Sequence, residues 1–249
     1  MSHPELVIFF AIIAFIYASV GFGGGSSYLA ILVFYSLPFK ETRLIALVCN
    51  VIVVTGGTIV FIRHKQVDWR KIIPVVAAGV ILAFLGARMK LSQDTFFILL
   101  GFSLVIASIL LWVKTKTNIA MVKTKTSFVR DAALGGSIGF LSGMVGIGGG
   151  IFLSPVFNLL NWDQPKKIAA TASVFILVNS ISGIAGQLSQ FTPNIDYTTV
   201  ILLGIAVLIG GQLGSRIGVV KFNQIVVKRV TAILVFAAGV EVLGKHLHF

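Results

Sequence analysis

Charged side chains are scarce in this chain of 249 residues, since Asp, Glu, Lys and Arg together make up only 11% of it. Acidic residues are the rarest of these, with 8 against 20 basic ones, whereas 57% of the residues are apolar. A water-soluble domain carries about 25% charged residues, so this chain has too few polar groups to cover a core. The composition therefore predicts an integral membrane protein that contacts the lipid bilayer.

Cysteine and carboxylates inside apolar runs are also nearly missing. The single cysteine, Cys49, lies within an apolar run, so no disulfide can form within the chain. Of the acidic residues, only Glu241 lies within a predicted span, and the rest fall in loops or near segment ends. No carboxylate pair and no H-E-x-x-H motif is present. We therefore predict that the chain is not an enzyme, that it has no cofactor, and that it depends weakly on sodium.

The basic residues lie in short segments between apolar runs and give a net charge of +12. That distribution is typical of the positive-inside bias of membrane proteins. A nucleic-acid-binding domain would instead gather its basic residues on one face. We therefore expect no nucleic-acid partner.

Six apolar runs are long enough, or nearly so, to cross the roughly 30 Å hydrocarbon layer at about 1.5 Å per helical residue. They are residues 44–62, 72–87, 95–113, 168–188, 198–215 and 225–244. Two further regions are interrupted by the glycine runs "GFGGG" (21–25) and "GIGGG" (146–150). Arms of about 10–15 residues flank each run, so each region forms two short spans or one helical hairpin that enters the membrane and returns. The chain thus has eight to ten hydrophobic segments, all predicted to be α-helical.

The two glycine runs belong to an internal repeat, because they align at an offset of 125 residues. "VDW" (67–69) matches "IDY" (195–197), and "LGAR" (85–88) matches "LGSR" (213–216), both at an offset of 128. The repeat predicts a first membrane unit, a basic cytoplasmic linker and a second membrane unit. Their bounds are 1–113, 114–131 and 132–249. Each unit has three transmembrane helices and one glycine-broken hairpin, and the odd number of crossings predicts that the second unit is inverted.

Loop charge supports the inversion. The segment "RHKQVDWRK" (63–71) has four Lys or Arg residues, whereas its counterpart "QLSQFTPNIDY" (187–197) has none. Placing the first segment inside puts 15 basic residues inside and 5 outside, with both termini outside. The outside residues are Lys40, Arg43, Arg88, Lys90 and Lys245.

The glycine runs predict an anion site. A helix that begins at a glycine turn presents about four N–H groups without intrahelical partners and a partial positive charge. Glycine has no side chain, so a ligand can approach the backbone closely. Inverted repeats with broken helices are a transporter design with the substrate at the midplane. The predicted binding residues of the two turns are Gly23, Gly24, Gly25, Ser26, Ser27, Gly148, Gly149, Gly150 and Ser154.

Close packing of helices is the alternative for these glycines. We favour packing for Gly135, Gly139 and Gly143, which recur at four-residue spacing. We favour a site for the two turns, because three consecutive glycines break a helix.

Polar residues inside the predicted spans are further candidates. Asn50 and Thr55 lie in the first half, and the second half holds Thr171, Ser173, Asn179, Ser180 and Ser182. Since positions 171, 175, 179 and 182 share a helix face, Thr171, Asn179 and Ser182 are predicted to line one cavity. Asn50 is predicted to bind substrate from the first half, and hydrogen bonding between helices is an equally weighted alternative for these residues.

Two arginines, Arg88 and Arg216, occupy equivalent repeat positions at the ends of spans. Interfacial anchoring is the favoured interpretation. As ligands they would guard the two mouths of a pathway.

The paired glycine motifs, "VDW" and "TASVFILVNSISG" (171–183) resemble the TauE/SafE sulfite exporter family over nearly the whole chain. The resemblance implies a carrier in the bacterial inner membrane for small sulfur-containing anions such as sulfite, thiosulfate or organosulfonates. A non-transporting membrane scaffold and an intramembrane enzyme are the alternatives. The oligomeric state stays open, and a homo-oligomer is allowed.

Overall fold

The computed structural model describes residues 4–19, 21–35, 38–113, 127–190, 196–221 and 224–246. These residues form ten α-helices, in keeping with the predicted all-α fold. The helices are α1 (Glu5–Ala18), α2 (Gly25–Phe34), α3 (Phe39–Arg63), α4 (Trp69–Ala87), α5 (Gln93–Val113), α6 (Phe128–Val145), α7 (Gly150–Leu159), α8 (Pro165–Leu188), α9 (Tyr197–Lys221) and α10 (Gln224–His246).

Five of the helices, namely α3, α4, α5, α8 and α9, are long and apolar enough to cross a membrane by length and composition. They confirm five of the predicted spans, and α10 covers the sixth. The prediction was wrong at the start of α3, which begins at Phe39 and therefore includes Arg43. Arg43 is buried in this helix, whereas the loop charges predict that it lies outside.

The last residues of the predicted linker, 114–131, belong to a helix. Residues 114–126 lie outside the described residues, but α6 already begins at Phe128. Asp131 is therefore helical and buried, with Oδ1 3.2 Å from the Arg130 guanidinium. A neighbouring cation explains why this carboxylate is tolerated within the fold.

Each glycine run joins two helices through a turn that needs glycine. Gly21 and Gly24 adopt φ values of 84° and 88°, and Gly146, Gly148 and Gly149 adopt 80°, 74° and 82°. Side chains disfavour this left-handed region of backbone space. The helix α6 ends at Gly146, and α2 and α7 begin directly after Gly24 and Gly149.

Glycine also brings α4 and α6 into direct backbone contact. Gly135 lies against the backbone of Val75, Gly139 against Gly79, and Gly143 against Ala83. The positions rise together along both helices, so α4 and α6 run parallel. This contact confirms the prediction that these three glycines serve packing.

Replacing Gly139 by alanine tests that contact. A Cβ at this position would overlap the carbonyl oxygen and Cα of Gly79, and backbone cannot move aside as a flexible side chain can. We expect a loss of about 1–3 kcal/mol of stability, seen as a lower midpoint of thermal denaturation in detergent. The control is Gly244→Ala, since nothing lies within 4 Å of a Cβ there. Equal midpoints for the two variants would contradict the contact.

An equivalent contact recurs between α1 and α9. In α9, Gly214 lies against the carbonyl of Phe15 in α1, as Gly86 of α4 lies against the carbonyl of Phe140 in α6. The glycines are 128 residues apart and the phenylalanines 125 apart, which are the offsets of the sequence repeat. The contacts between helices therefore follow the repeat that the sequence shows.

The long helices α3 and α8 pack against each other at the centre of the fold. A Cβ on Gly183 would lie 3.1 Å from Leu47, and one on Gly57 would lie 3.6 Å from Ser173. Thr58 and Ser173 share a hydrogen bond of 2.9 Å between their hydroxyls. Since high numbers on α8 meet low numbers on α3, the two helices are antiparallel.

An ion pair fixes the segment between α7 and α8 to the start of α4. The Lys71 Nζ lies 2.6 Å from Asp163 Oδ2. Burial raises the pKa of Asp163, but hydrogen bonds from the Lys71 ammonium and the Gln164 N–H outweigh it and leave this pKa below its ordinary value. Asp163 is therefore ionised at neutral pH and holds the ion pair.

Candidate functional site

The two glycine turns meet at one side chain, Asn50 of α3, which is fully buried with 0% exposure. A Cβ on either Gly23 or Gly25 of the first turn would overlap its amide group. The same amide reaches the second turn, where Nδ2 donates a hydrogen bond to the carbonyl oxygen of Ile147 at 3.2 Å. The structure thus brings three predicted site residues, Gly23, Gly25 and Asn50, together with the second turn, which lies 125 residues further along the chain.

The second turn is also covered by Ser180 of α8. A Cβ on Gly148 would lie 2.8 Å from Asn50 Nδ2 and 2.8 Å from Ser180 Oγ. The two side chains therefore flank the same glycine. Ser180 is not among the predicted site residues, because helix periodicity selects positions 171, 179 and 182 instead.

Several polar atoms in this region have no protein partner. Asn50 Oδ1, Ser180 Oγ and both amide atoms of Asn179 are buried and lack a hydrogen-bond partner within the described residues. Leaving one such group unsatisfied costs about 1–3 kcal/mol. A cluster of them is expected where a polar ligand or water binds.

The helices that begin at the turns direct backbone N–H groups to this region. Their N-cap residues, Gly24 and Gly149, offer no side chain, so no side-chain group caps the first turn of α2 or α7. The first N–H groups of a helix have no intrahelical acceptor, and they carry the positive end of the helix dipole. Both helix ends therefore suit a bound anion.

The hydroxyl groups predicted for the site mostly have structural partners. The Tyr17 hydroxyl lies 2.7 Å from Ser27 Oγ and 3.3 Å from Ser26 Oγ. Asn158 Nδ2 lies 3.4 Å from Ser154 Oγ. These bonds remain close to the turns and leave the three serines at the edge of the site.

Ser182 has a hydrogen bond between helices, as the alternative interpretation described, and Thr171 has one within its own helix. Thr171 donates to the carbonyl of Lys167 in its own helix at 2.9 Å, and Ser182 donates to the carbonyl of Val80 in α4 at 2.6 Å. Of the three α8 residues predicted to line one cavity, Asn179 alone keeps unpartnered polar atoms. These bonds favour a structural role for the other two.

The arginines predicted at the mouths lie on the exposed surface. Arg88 follows α4 with its guanidinium 5.6 Å from the Phe84 ring centre, and Arg216 is exposed on α9. The arginine that sequence reasoning missed is Arg43, which is 5% exposed. Its Nη2 donates to the carbonyl of Gly143 at 3.0 Å, and its guanidinium lies 5.5 Å from the Phe96 ring centre. Arg43 precedes Asn50 by seven residues, or two helical turns, so the two residues share one face of the helix. That spacing is the sequence signal that could have indicated Arg43.

The long apolar helices and the buried polar centre define a multi-pass helical membrane protein. Residues 6–242 match the family model described as sulfite exporter TauE/SafE. The chain therefore belongs to the TauE/SafE family, as the sequence motifs predicted.

Two relatives are similar over nearly their full lengths. One, from Sinorhizobium fredii, is described as "Probable membrane transporter protein y4hK" and is 33% identical over 96% of this chain and 97% of its own. Another, from Bacillus subtilis, is described as "Probable membrane transporter protein YunE" and is 27% identical over 87% of this chain and 89% of its own. No solved structure matches the chain. The family and these relatives indicate membrane transport as the general function, rather than an enzymatic one.

Proposed function

We propose that this protein carries small sulfur-containing anions, such as sulfite, thiosulfate or organosulfonates, across the bacterial inner membrane. The anion binds between the two glycine turns, beside Asn50, and is released by alternating access. The proposal depends on the fully buried amide of Asn50, which contacts both turns. Neighbouring residues have buried polar atoms without a hydrogen-bond partner among the described residues.

The chemistry of the turns suits an oxyanion. Two helix N-termini supply N–H donors and positive dipole ends, and these are stabilising for negative charge. Asn50 Nδ2, Asn179 Nδ2 and Ser180 Oγ can add neutral donors without a lysine at the centre. Neutral donors hold an anion weakly enough to release it, which a carrier requires.

The inverted-repeat organisation is part of the proposal. In the part of the chain that the structure describes, two pairs of helices at equivalent positions of the two halves contact each other, and both pairs run in opposite directions. The pair α3 and α8 is antiparallel, and so is the pair α5 and α10, where Gly101 meets Leu243 and Leu104 meets Gly239. These directions support two inverted units at 1–113 and 132–249, joined by the linker 114–131.

The proposed orientation follows from loop charge, with the 63–71 segment in the cytoplasm and both termini outside. In that arrangement the hairpin of the first turn enters the membrane from outside, and the hairpin of the second turn enters it from inside. Rocking of the two units about the shared centre would expose the anion to each side in turn.

Transport in proteoliposomes tests the proposal. Purified protein is reconstituted, and uptake of radiolabelled sulfite, thiosulfate, sulfoacetate and sulfate is compared with and without a sodium gradient. We expect saturable uptake of at least one of the first three anions, with little change on removing sodium. A folded protein that moves none of them would contradict the proposal and favour a scaffold.

A further inference from the structure

Polar residues continue from the central site along the contact between α3 and α8. We define the α3–α8 seam as Arg43 and Asn50 on α3 with Asn179, Ser180 and Gln187 on α8. Asn50 and Ser180 meet at Gly148, as described above. Leu47 of α3 contacts Gly183 of α8. Arg43 lies one helical turn before Leu47, and Gln187 lies one helical turn after Gly183. Because the two helices are antiparallel, Arg43 and Gln187 lie at the same level. The seam therefore extends about 10 Å from Asn50 to Arg43.

The seam concentrates the unsatisfied polar atoms of the protein. Within the described part of the chain, ten buried side-chain nitrogen or oxygen atoms lack a hydrogen-bond partner, and seven of them belong to the seam. Arg43, Asn50 and Ser180 contribute one atom each, and Asn179 and Gln187 contribute two each. Since proteins satisfy most buried polar groups, this clustering points to a polar ligand along the seam.

Among the described residues, the charge on Arg43 has no counter-charge. Its Nη2 donates to one carbonyl and its guanidinium faces Phe96, but Nε has no partner. None of the carboxylates in the described ranges forms an ion pair with it. A cation that is 95% buried is costly unless an anion accompanies it, and an ionisable group inside a membrane protein marks a functional site.

This charge is present at one end of the seam only. In the second turn, a Cβ on Gly146 would lie 3.2 Å from Arg43. In the first turn, the equivalent Gly21 faces Phe61 at 3.4 Å and Ala169 at 3.6 Å. The surroundings of the two equivalent turns therefore differ: they are cationic beside the second turn and apolar beside the first.

We propose that Arg43 and Gln187 form an outer anion subsite, separate from the central site at Asn50. This inference rests on the proposed function, because the subsite would receive a small oxyanion from outside and pass it along the seam. The free Nε–H of Arg43 and the Gln187 amide would bind the charged oxygens. The apolar contact at Gly21 leaves the inner approach without such a subsite.

Removing the charge from Arg43 is the first test. Binding of thiosulfate, a dianion, and of methanesulfonate, a monoanion, is measured by calorimetry with the protein in nanodiscs. We expect Arg43→Gln to weaken thiosulfate binding about tenfold or more and methanesulfonate binding less, because the lost attraction scales with ligand charge. Arg43→Lys should recover most of the affinity. Arg70→Gln, which removes an exposed charge, is the matched control and should bind as the wild type does.

Gln187→Glu keeps the size of the side chain and supplies an internal counter-charge for Arg43. We expect this variant to lose thiosulfate binding at neutral pH, to regain it as acid protonates the introduced carboxylate, and to melt at a higher temperature. A purely structural Arg43 would give no such pH-dependent recovery. Because this variant keeps Arg43, it also serves if Arg43→Gln does not fold.

The outcomes separate the two proposals. If the wild type binds thiosulfate, and both Arg43→Gln and Gln187→Glu bind it within about twofold of the wild-type affinity, the outer subsite is wrong and the central site stands. If the wild type binds neither anion, the proposed function fails and the subsite fails with it.

Discussion

Gly25→Ala is expected to lower anion affinity by about tenfold or more while the protein stays folded. Gly25 begins α2 and lies outside the left-handed region that requires glycine, so alanine is compatible with its backbone. The new Cβ would overlap the amide of Asn50 and displace it from both turns. A displacement of about 1 Å in a site of this kind costs large factors in function.

The measurement is anion binding by calorimetry, with thermal denaturation as the check on folding. Gly57→Ala is the matched control, because it adds the same methyl group to the neighbouring helix α3 at an ordinary 3.6 Å from Ser173. Wild-type affinity in Gly25→Ala would show that the position of Asn50 does not matter for the ligand.

Asn50→Leu is expected to abolish transport while the protein stays folded, with a loss of about 1–3 kcal/mol of stability because the buried carbonyl of Ile147 loses its donor. Leucine keeps the branching of asparagine and replaces the amide oxygen and nitrogen by methyl groups. It removes the donor that would bind the anion, and it also removes the buried Oδ1 that has no partner. Loss of a ligand-binding donor costs about 1–3 kcal/mol of binding, or about 5–150-fold in affinity.

Loss of transport in a variant that still folds, checked by thermal denaturation, separates a binding role from a packing role. The control is Thr55→Val on the same helix, because the Thr55 hydroxyl donates to the carbonyl of Val51 within the helix at 2.6 Å. We expect this variant to transport normally. If Asn50→Leu transported anions at the wild-type rate, the central site would be elsewhere.

The glycine turns could be predicted from the sequence because their cause is local. Three consecutive glycines in an apolar run break a helix whatever surrounds them, and the structure has turns at both runs. The stripe of Gly135, Gly139 and Gly143 could be predicted for the same reason, since small residues at four-residue spacing make a flat helix face.

The composition of the site could be predicted only in part, because it depends on which helix faces meet. Helix periodicity places Asn179 and Ser182 on one face of α8, but it does not tell which neighbour each residue contacts. In the fold, Ser182 bonds to α4 while Ser180 reaches the second glycine turn. That choice is set by the antiparallel register of α3 and α8, which is a tertiary property.

Arg43 shows how charge can mislead sequence reasoning about a membrane protein. A basic residue at the edge of an apolar run predicts a loop or an interface. Here α3 begins four residues before Arg43. The guanidinium of Arg43 donates to the backbone carbonyl of Gly143 and lies over the ring of Phe96. Such a residue is costly to bury, and its burial is therefore informative about function.

The most direct test of the central claim is a structure determined with a bound anion. Thiosulfate is suitable, because its sulfur atoms can be located by anomalous scattering. We predict that it lies between the two glycine turns, within hydrogen-bond distance of the Asn50 amide and of the first N–H groups of α2 or α7. Thiosulfate bound away from both turns, with the space at Asn50 closed by neighbouring side chains, would contradict the account.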